Sequence, residues 1–184
     1  MVIGIDPSIN CTGICVWDEE NDMHTYHMIP SKMTKKMKDF RHSHLFLMPY
    51  EKIDTKNMGY SDKESAKFNN IYEIVQRVQV VVQEKNPSRI VMEGVSYGSM
   101  GSAAIVDLCF LNSALRMMLK QNDIPFEIVS PTSLKKFACS NGQAEKDVIV
   151  DAWKRLDPRI SNINNIKVDD LADSYFLAHY KNVS

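Results

Sequence analysis

Four carboxylates stand where acids are costly or crowded. Asp6 ends the apolar run Val2-Ile3-Gly4-Ile5, and Glu93 ends Arg89-Ile90-Val91-Met92. A carboxylate at the end of a buried strand is unfavourable unless something positive meets it. No Lys or Arg adjoins Asp6 in the chain, so a metal ion is the simplest partner. The competing reading is an Asx-type turn that Asp6 opens before Pro7. Asp170 and Asp173 sit near the start of the last helical segment. At about 100° per residue, Asp173 falls about 60° from Asp170, and Asp169 about 40° from Asp173. All three share one polar edge, away from Val168, Leu171, Ala172, Tyr175 and Phe176. The positive end of a helix dipole accounts for Asp169 and Asp170 but poorly for Asp173, a full turn in. Oxygen-only ligation by Asp6, Glu93, Asp170 and Asp173 suits Mg²⁺, with Mn²⁺ able to substitute, and does not suit zinc. Two such ions roughly 4 Å apart clamp the attacking and leaving oxygens of an in-line phosphodiester displacement.

Other chemistry-bearing residues are less organised. His24, His27, His42 and His44 form an HxxH and an HxH, which either bind a transition metal or are ordinary strand and loop residues. Cys11, Cys15, Cys109 and Cys139 show no CxxC pair and no zinc-type spacing, and read as small apolar residues in a reducing compartment. No Ser or Cys stands with a matched His as a nucleophile.

The elements that must position the acids follow from periodicity. Residues 2–6, 12–18 and 23–29 read as three antiparallel strands, the last two joined by the polar turn 18–22. The segment 30–61 carries Lys32, Lys35, Lys36, Lys38 and Arg41 and has no sustained period, although 44–48 suits a short strand. It reads as an insertion on one domain spanning 1–184, and loops of this length are often functional. A helix begins at 61–62 and runs through Phe68, Ile71, Tyr72, Val75, Val78 and Val82 to Asn86-Pro87. A strand at 89–93, a Gly/Ser-rich loop at 94–101, a helix over 105–119 and a strand at 125–129 come next. Helical segments at 131–138, 144–156 and 169–179 complete the chain. The fold class is α/β, with a mixed five-stranded sheet, three antiparallel strands then two parallel, flanked by helices. A right-handed crossover makes the strands ending at Asp6 and Glu93 parallel, so both acids come to the same sheet edge.

The chain has 184 residues and a net charge of −1, ordinary for a globular domain and against a generic polyanion binder. Local basic patches would have to do any nucleic-acid binding. No apolar run approaches the ~20 residues of a membrane span. The first apolar run is too short for a signal peptide and is broken by Asp6. A cytoplasmic location is expected.

With these motifs in place, the sequence resembles the RuvC family of Holliday junction resolvases, within the RNase H-like fold. Ile3-Gly4-Ile5-Asp6-Pro7 with Thr12-Gly13 is similar to the family's GIDPG…TG signature. Glu93 matches its strand-end glutamate, Gly142-Gln143-Ala144-Glu145-Lys146 its G-x-A-x-K element, and Asp170-Leu171-Ala172-Asp173 its D-x-A-D helix. The motifs are ordered as in the family and span most of the chain. The resemblance implies a homodimeric, Mg²⁺-dependent endonuclease with two ions per site that nicks four-way DNA junctions symmetrically. Asp6, Glu93, Asp170 and Asp173 would then be the catalytic metal ligands, and Lys135 and Lys146 would contact phosphates near the scissile bond. Lys136 is a further DNA contact, and Tyr97 a stacking residue in the loop after Glu93. Ser8 stands in place of the usual glycine and Asn10 in place of the usual arginine. The 30–61 segment is larger than in typical bacterial members. These departures point to a phage or viral resolvase acting on a wider range of branched DNA, located in the host cytoplasm. The rival readings are an RNase H-like nuclease acting on RNA, a catalytically inactive junction-binding protein, and an actin- or sugar-kinase-like ATPase. The last has chains about twice as long, with further phosphate loops that are absent here.

Overall fold

The computed structural model describes residues 1–95, 102–160, 163, 166 and 168–181. Its centre is a mixed sheet of six strands in the order β4-β3-β2-β1-β5-β6. β1 (Val2–Asp6), β2 (Cys11–Asp18) and β3 (Met23–Pro30) form the antiparallel part, and β5 (Arg89–Glu93) and β6 (Phe126–Val129) extend it parallel to β1. The sheet therefore has six strands, not the five expected. The sixth, β4 (Leu45–Leu47), pairs parallel to β3 at the outer edge. It falls within the 44–48 stretch that suited a short strand, and pairing with β3 brings it into the sheet. The segment around it also holds a single-turn helix, α1 (Lys35–Lys38), capped by the Thr34 side chain.

Helices cover both faces. On one side α2 (Tyr60–Lys85) and α3 (Ser102–Gln121) bury Ile74, Val78, Leu111 and Leu115 against Ile3, Ile5, Ile14 and Met92. On the other, α4 (Pro131–Cys139), α5 (Lys146–Leu156) and α6 (Asp169–His179) pack Leu134, Trp153, Leu171 and Phe176 against Cys15, Tyr26 and Val91. The odd-even alternation of β1 is visible here: Ile3 and Ile5 face α2 and α3, while Gly4 faces α6. α2 begins at Tyr60 with Gly59 as its N-cap, two to three residues before the cap expected at 61–62. It ends at Asn86, whose left-handed backbone (φ 43°) stops the helix ahead of Pro87. α5 begins at Lys146, two residues later than expected, because Ala144 still belongs to the preceding turn.

Two glycines decide how close α6 comes. A Cβ on Gly4 would lie 2.0 Å from the Ser174 carbonyl oxygen, and one on Gly13 would lie 2.1 Å from the Asp170 carbonyl oxygen. The helix thus rests on bare backbone of β1 and β2, which sets its first turn beside the end of β1.

Candidate active site

β1 and β5 run parallel with Ile5 opposite Met92, so the next residues, Asp6 and Glu93, are side by side at the C-terminal edge of the sheet. Asp6 is only 7% exposed. Its carboxyl group is hydrogen-bonded to Glu93, an arrangement of two acids that requires a shared proton. α6 brings Asp170 and Asp173 over the same edge, because Gly13 lets its first turn touch β2. β6 leads directly into α4, whose start is fixed by the Ser130 hydroxyl accepting from the Ser133 N–H at 3.1 Å and by Pro131 in the first turn. One turn further on, Lys135 reaches the cleft.

The resulting cleft, of about 450 Å³, is lined by Asp6, Glu93, Asp170 and Asp173, with Lys135 and Lys146 beside them. Burial, then the charge of Glu93, Asp173 and Asp170, pushes the Asp6 carboxyl well above the ordinary range. Burial and the nearby Asp173 raise Glu93 to about 7. Asp173 is raised to about 6, by burial first, with the Lys146 charge opposing and Asp170 and Asp169 reinforcing. Lys146 donates to Asp169 Oδ2 at 2.7 Å. Partial burial disfavours its charge, but this pairing outweighs that and moves its pKa up, so it remains a cation. Cys11 lies beside Asp170, and burial together with that carboxylate pushes its thiol pKa far up, which rules it out as a thiolate nucleophile.

All six of Asp6, Glu93, Asp170, Asp173, Lys135 and Lys146 line this one cleft. Lys136 is exposed and does not line it; the helical rotation that turns Lys135 inward carries its neighbour outward. Tyr97 lies outside the described residues. Asn10, Lys52, Asp107 and Asn112 also line the cleft without having been singled out as site residues. Asp107 and Asn112 were visible as polar breaks in the otherwise apolar 105–119 helix. Asp107 pairs with Lys67 of α2 at 3.0 Å. Lys52 had no local signal. It comes from the 30–61 segment and donates to Asn10 Oδ1 at 3.0 Å.

A larger concavity, about 1050 Å³, opens next to this cleft and shares Lys52 with it. Lys32, Lys38, Lys52 and Lys56 line it together with Glu51 and Asp54. It is the bigger space, but the buried acids whose pKa values are pushed up, Asp6, Glu93 and Asp173, all line the smaller cleft. The smaller cleft is therefore the candidate site. The donors there are carboxylate oxygens, which suits a hard divalent cation, and an ion would relieve the repulsion that now holds protons on buried acids. Among the described residues, the one set of three or more ligand atoms mutually within 4.8 Å is elsewhere, at Asp22, His24 and His179. The four acids surround their cleft more widely than that.

No protein-family model matches the chain, and no curated protein is similar to it in sequence. Solved structures are. RuvC of Thermus thermophilus superposes with a TM-score of 0.58 at 14% identity, covering 96% of this chain and 90% of that one. The same protein in complex with a Holliday junction substrate gives 0.60 at 15% identity, covering 96% and 89%. The yeast mitochondrial Holliday junction resolvase gives 0.54 at 16% identity, covering 96% and 75%. The chain has the RuvC-like form of the RNase H-like fold.

Proposed function

We propose that this protein is a divalent-metal-dependent endonuclease that resolves four-way DNA junctions, and other branched DNA, by paired symmetric nicks. The observation that carries the reading is the convergence of four acids from two parallel strand ends and one helix on a cleft that also holds Lys135 and Lys146. Such a constellation suits phosphodiester hydrolysis, because it offers ligands for hard cations and donors for phosphate, while among the described residues no histidine lines the cleft to activate a side-chain nucleophile.

Asp6, Glu93, Asp170 and Asp173 would hold Mg²⁺, or Mn²⁺ in its place, as a pair of ions. When bound, the ions supply Lewis-acid stabilisation of the phosphate and a water acidified for attack. The chain's own residues do the rest. Lys146, kept cationic by Asp169, offers a fixed positive charge to the phosphate. Lys135, one turn into α4, positions a neighbouring phosphate. Lys52 extends the cationic lining from the acid cleft toward Lys32, Lys38 and Lys56, a path suited to a duplex arm. Paired nicks require two such sites. The outer faces of α2 and α3 expose Phe68, Tyr72, Phe110 and Met117, an apolar surface that supports a homodimer.

The test is cleavage of a four-way junction with Mg²⁺, run beside plain duplex DNA and structured RNA and scored for symmetric nick pairs. Asp6→Asn should abolish cleavage and retain junction binding. Full cleavage by Asp6→Asn would sink the metal-site assignment, and preferential RNA cleavage would move the chain to a different substrate class.

A further inference from the structure

Of the histidines that looked paired in the sequence, His42 and His44 stay together, with their rings 6.0 Å apart, but His24 and His27 do not. His24 and His27 are three apart on β3, so they point to opposite faces of the sheet and cannot share an ion. His24 instead meets His179, at the C-terminal end of α6, with the two Nε2 atoms 3.2 Å apart. Asp22, in the β2–β3 turn, brings a carboxylate oxygen to within 4.8 Å of a ring nitrogen of each histidine. The site is about 14 Å along α6 from Asp170, at 1.5 Å per residue, and so is separate from the acid cleft.

We propose that Asp22, His24 and His179 form a second cation site, selective for a borderline ion of the Zn²⁺ class. Four-coordinate zinc with bonds of about 2.0–2.1 Å places its ligand atoms about 3.3 Å apart, close to the separation of the two imidazoles. Two histidines and one carboxylate are a zinc donor set, and the exposure of Asp22 leaves a fourth position open to water. The His179 ring has an acceptor for the nitrogen that does not ligate, whereas the His24 ring faces both an acid and a guanidinium there. His179 Nδ1 lies 2.9 Å from the Tyr175 carbonyl, which can only accept, so the ring's lone pair is on Nε2. His24 Nδ1 lies 3.6 Å from Asp157 Oδ2 and 2.6 Å from an Arg159 guanidinium nitrogen.

Those contacts define two states. Without an ion, Arg159 donates to His24 Nδ1 and His24 donates through Nε2–H to His179 Nε2. With an ion on Nε2, the His24 proton moves to Nδ1 and faces Asp157 Oδ2, so Arg159 must give up its bond to Nδ1 while keeping its 2.6 Å bond to Asp157 Oδ1. Trp17 stacks on His179 at 4.1 Å, which fixes the ring plane in either state. An ion here would tie the C-terminal end of α6 to the β2–β3 hairpin.

The experiment uses the untagged full chain, stripped with chelator and held in excess Mg²⁺ to saturate the acid cleft. Co²⁺ is the spectroscopic probe and Zn²⁺ the competitor. The expected result is one equivalent of Co²⁺ with the visible bands of a four-coordinate site, displaced by Zn²⁺, and a melting midpoint that rises with Zn²⁺. Asp22→Ala, at an exposed turn position, should remove the bands and the Zn²⁺-induced rise. His179→Gln should do the same, and Asp157→Asn should weaken binding by about 10–100-fold through the outer shell. The proposal fails if wild type shows no Co²⁺ bands, or if Asp22→Ala and His179→Gln bind as wild type does. It also fails if the bands disappear in Asp6→Asn, which would assign the ion to the acid cleft. None of these readouts depends on the nuclease reading.

Discussion

Gly13→Ala tests the link between backbone packing and chemistry. The added Cβ would sit 2.1 Å from the Asp170 carbonyl oxygen and 2.5 Å from its carbon, where contacts below 3.0 Å essentially never occur. Both obstructing atoms are backbone, so no rotamer change relieves the clash, and the first turn of α6 must back off by about 1 Å. Overpacking of this kind costs about 1–3 kcal/mol, or a fall in melting midpoint of about 2–10 °C for a chain of this size. The displaced turn carries Asp170 and lies next to Asp173, and a misplacement of about 1 Å in a catalytic constellation costs about 10²-fold in rate. The assay pairs a thermal melt with single-turnover junction cleavage, using Gly59→Ala as the control. A Cβ on Gly59 meets nothing within 4 Å, so that variant should cleave normally and change stability by less than about 1 kcal/mol. A Gly13→Ala protein with wild-type melting and cleavage would refute the claim that bare backbone at β2 sets the site.

The acid cleft also predicts a pH dependence for the metal-free protein. Folded Glu93 holds its proton to about 7 and Asp173 to about 6, whereas unfolded carboxyls release theirs near about 4. The folded state therefore binds more protons between those values, and stability should fall as pH rises from about 4 through 7. Denaturant titrations without metal should show this fall, and it should shrink in Glu93→Gln or on adding Mg²⁺. Lys146→Met should slow cleavage by about 10²–10³-fold while junction binding changes little, measured by single-turnover rates beside gel-shift affinities. Lys52→Glu should weaken junction binding and lower the slope of log K against log salt by about 1 or more. Tyr26→Phe removes a hydroxyl that donates to Asp157 at 2.8 Å and accepts from Trp153 at 3.0 Å, stranding buried polar groups. It should cost about 1–3 kcal/mol by denaturant unfolding.

The amino-acid sequence by itself determined which residues could do chemistry and the strand-helix order that delivers them. Strand ends at Asp6 and Glu93 are legible because an apolar run stops at a carboxylate. The Asp170–Asp173 edge is legible because helical period is local. Parallel pairing of β1 with β5 follows from the handedness of one crossover. All of this depends on neighbours within a few residues or on a chirality rule, which is why it can be read without coordinates.

What only the tertiary structure decided are relations between residues with no common local pattern. The 44–48 stretch suited a short strand, but that it joins the sheet beside β3 shows only in the pairing. Lys136 drops away from the cleft while Lys135 lines it, a difference of one residue set by how α4 is seated. Lys52 enters the cleft from the 30–61 segment, and Lys146 finds Asp169, 23 residues on. His24 abandons His27 for a partner 155 residues away. Gly4 and Gly13 read in the sequence as parts of a motif, but their physical role is to be absent side chains under α6. Close approach of two backbones leaves no trace in either element's own periodicity, so distance and packing, not residue type, had to settle it.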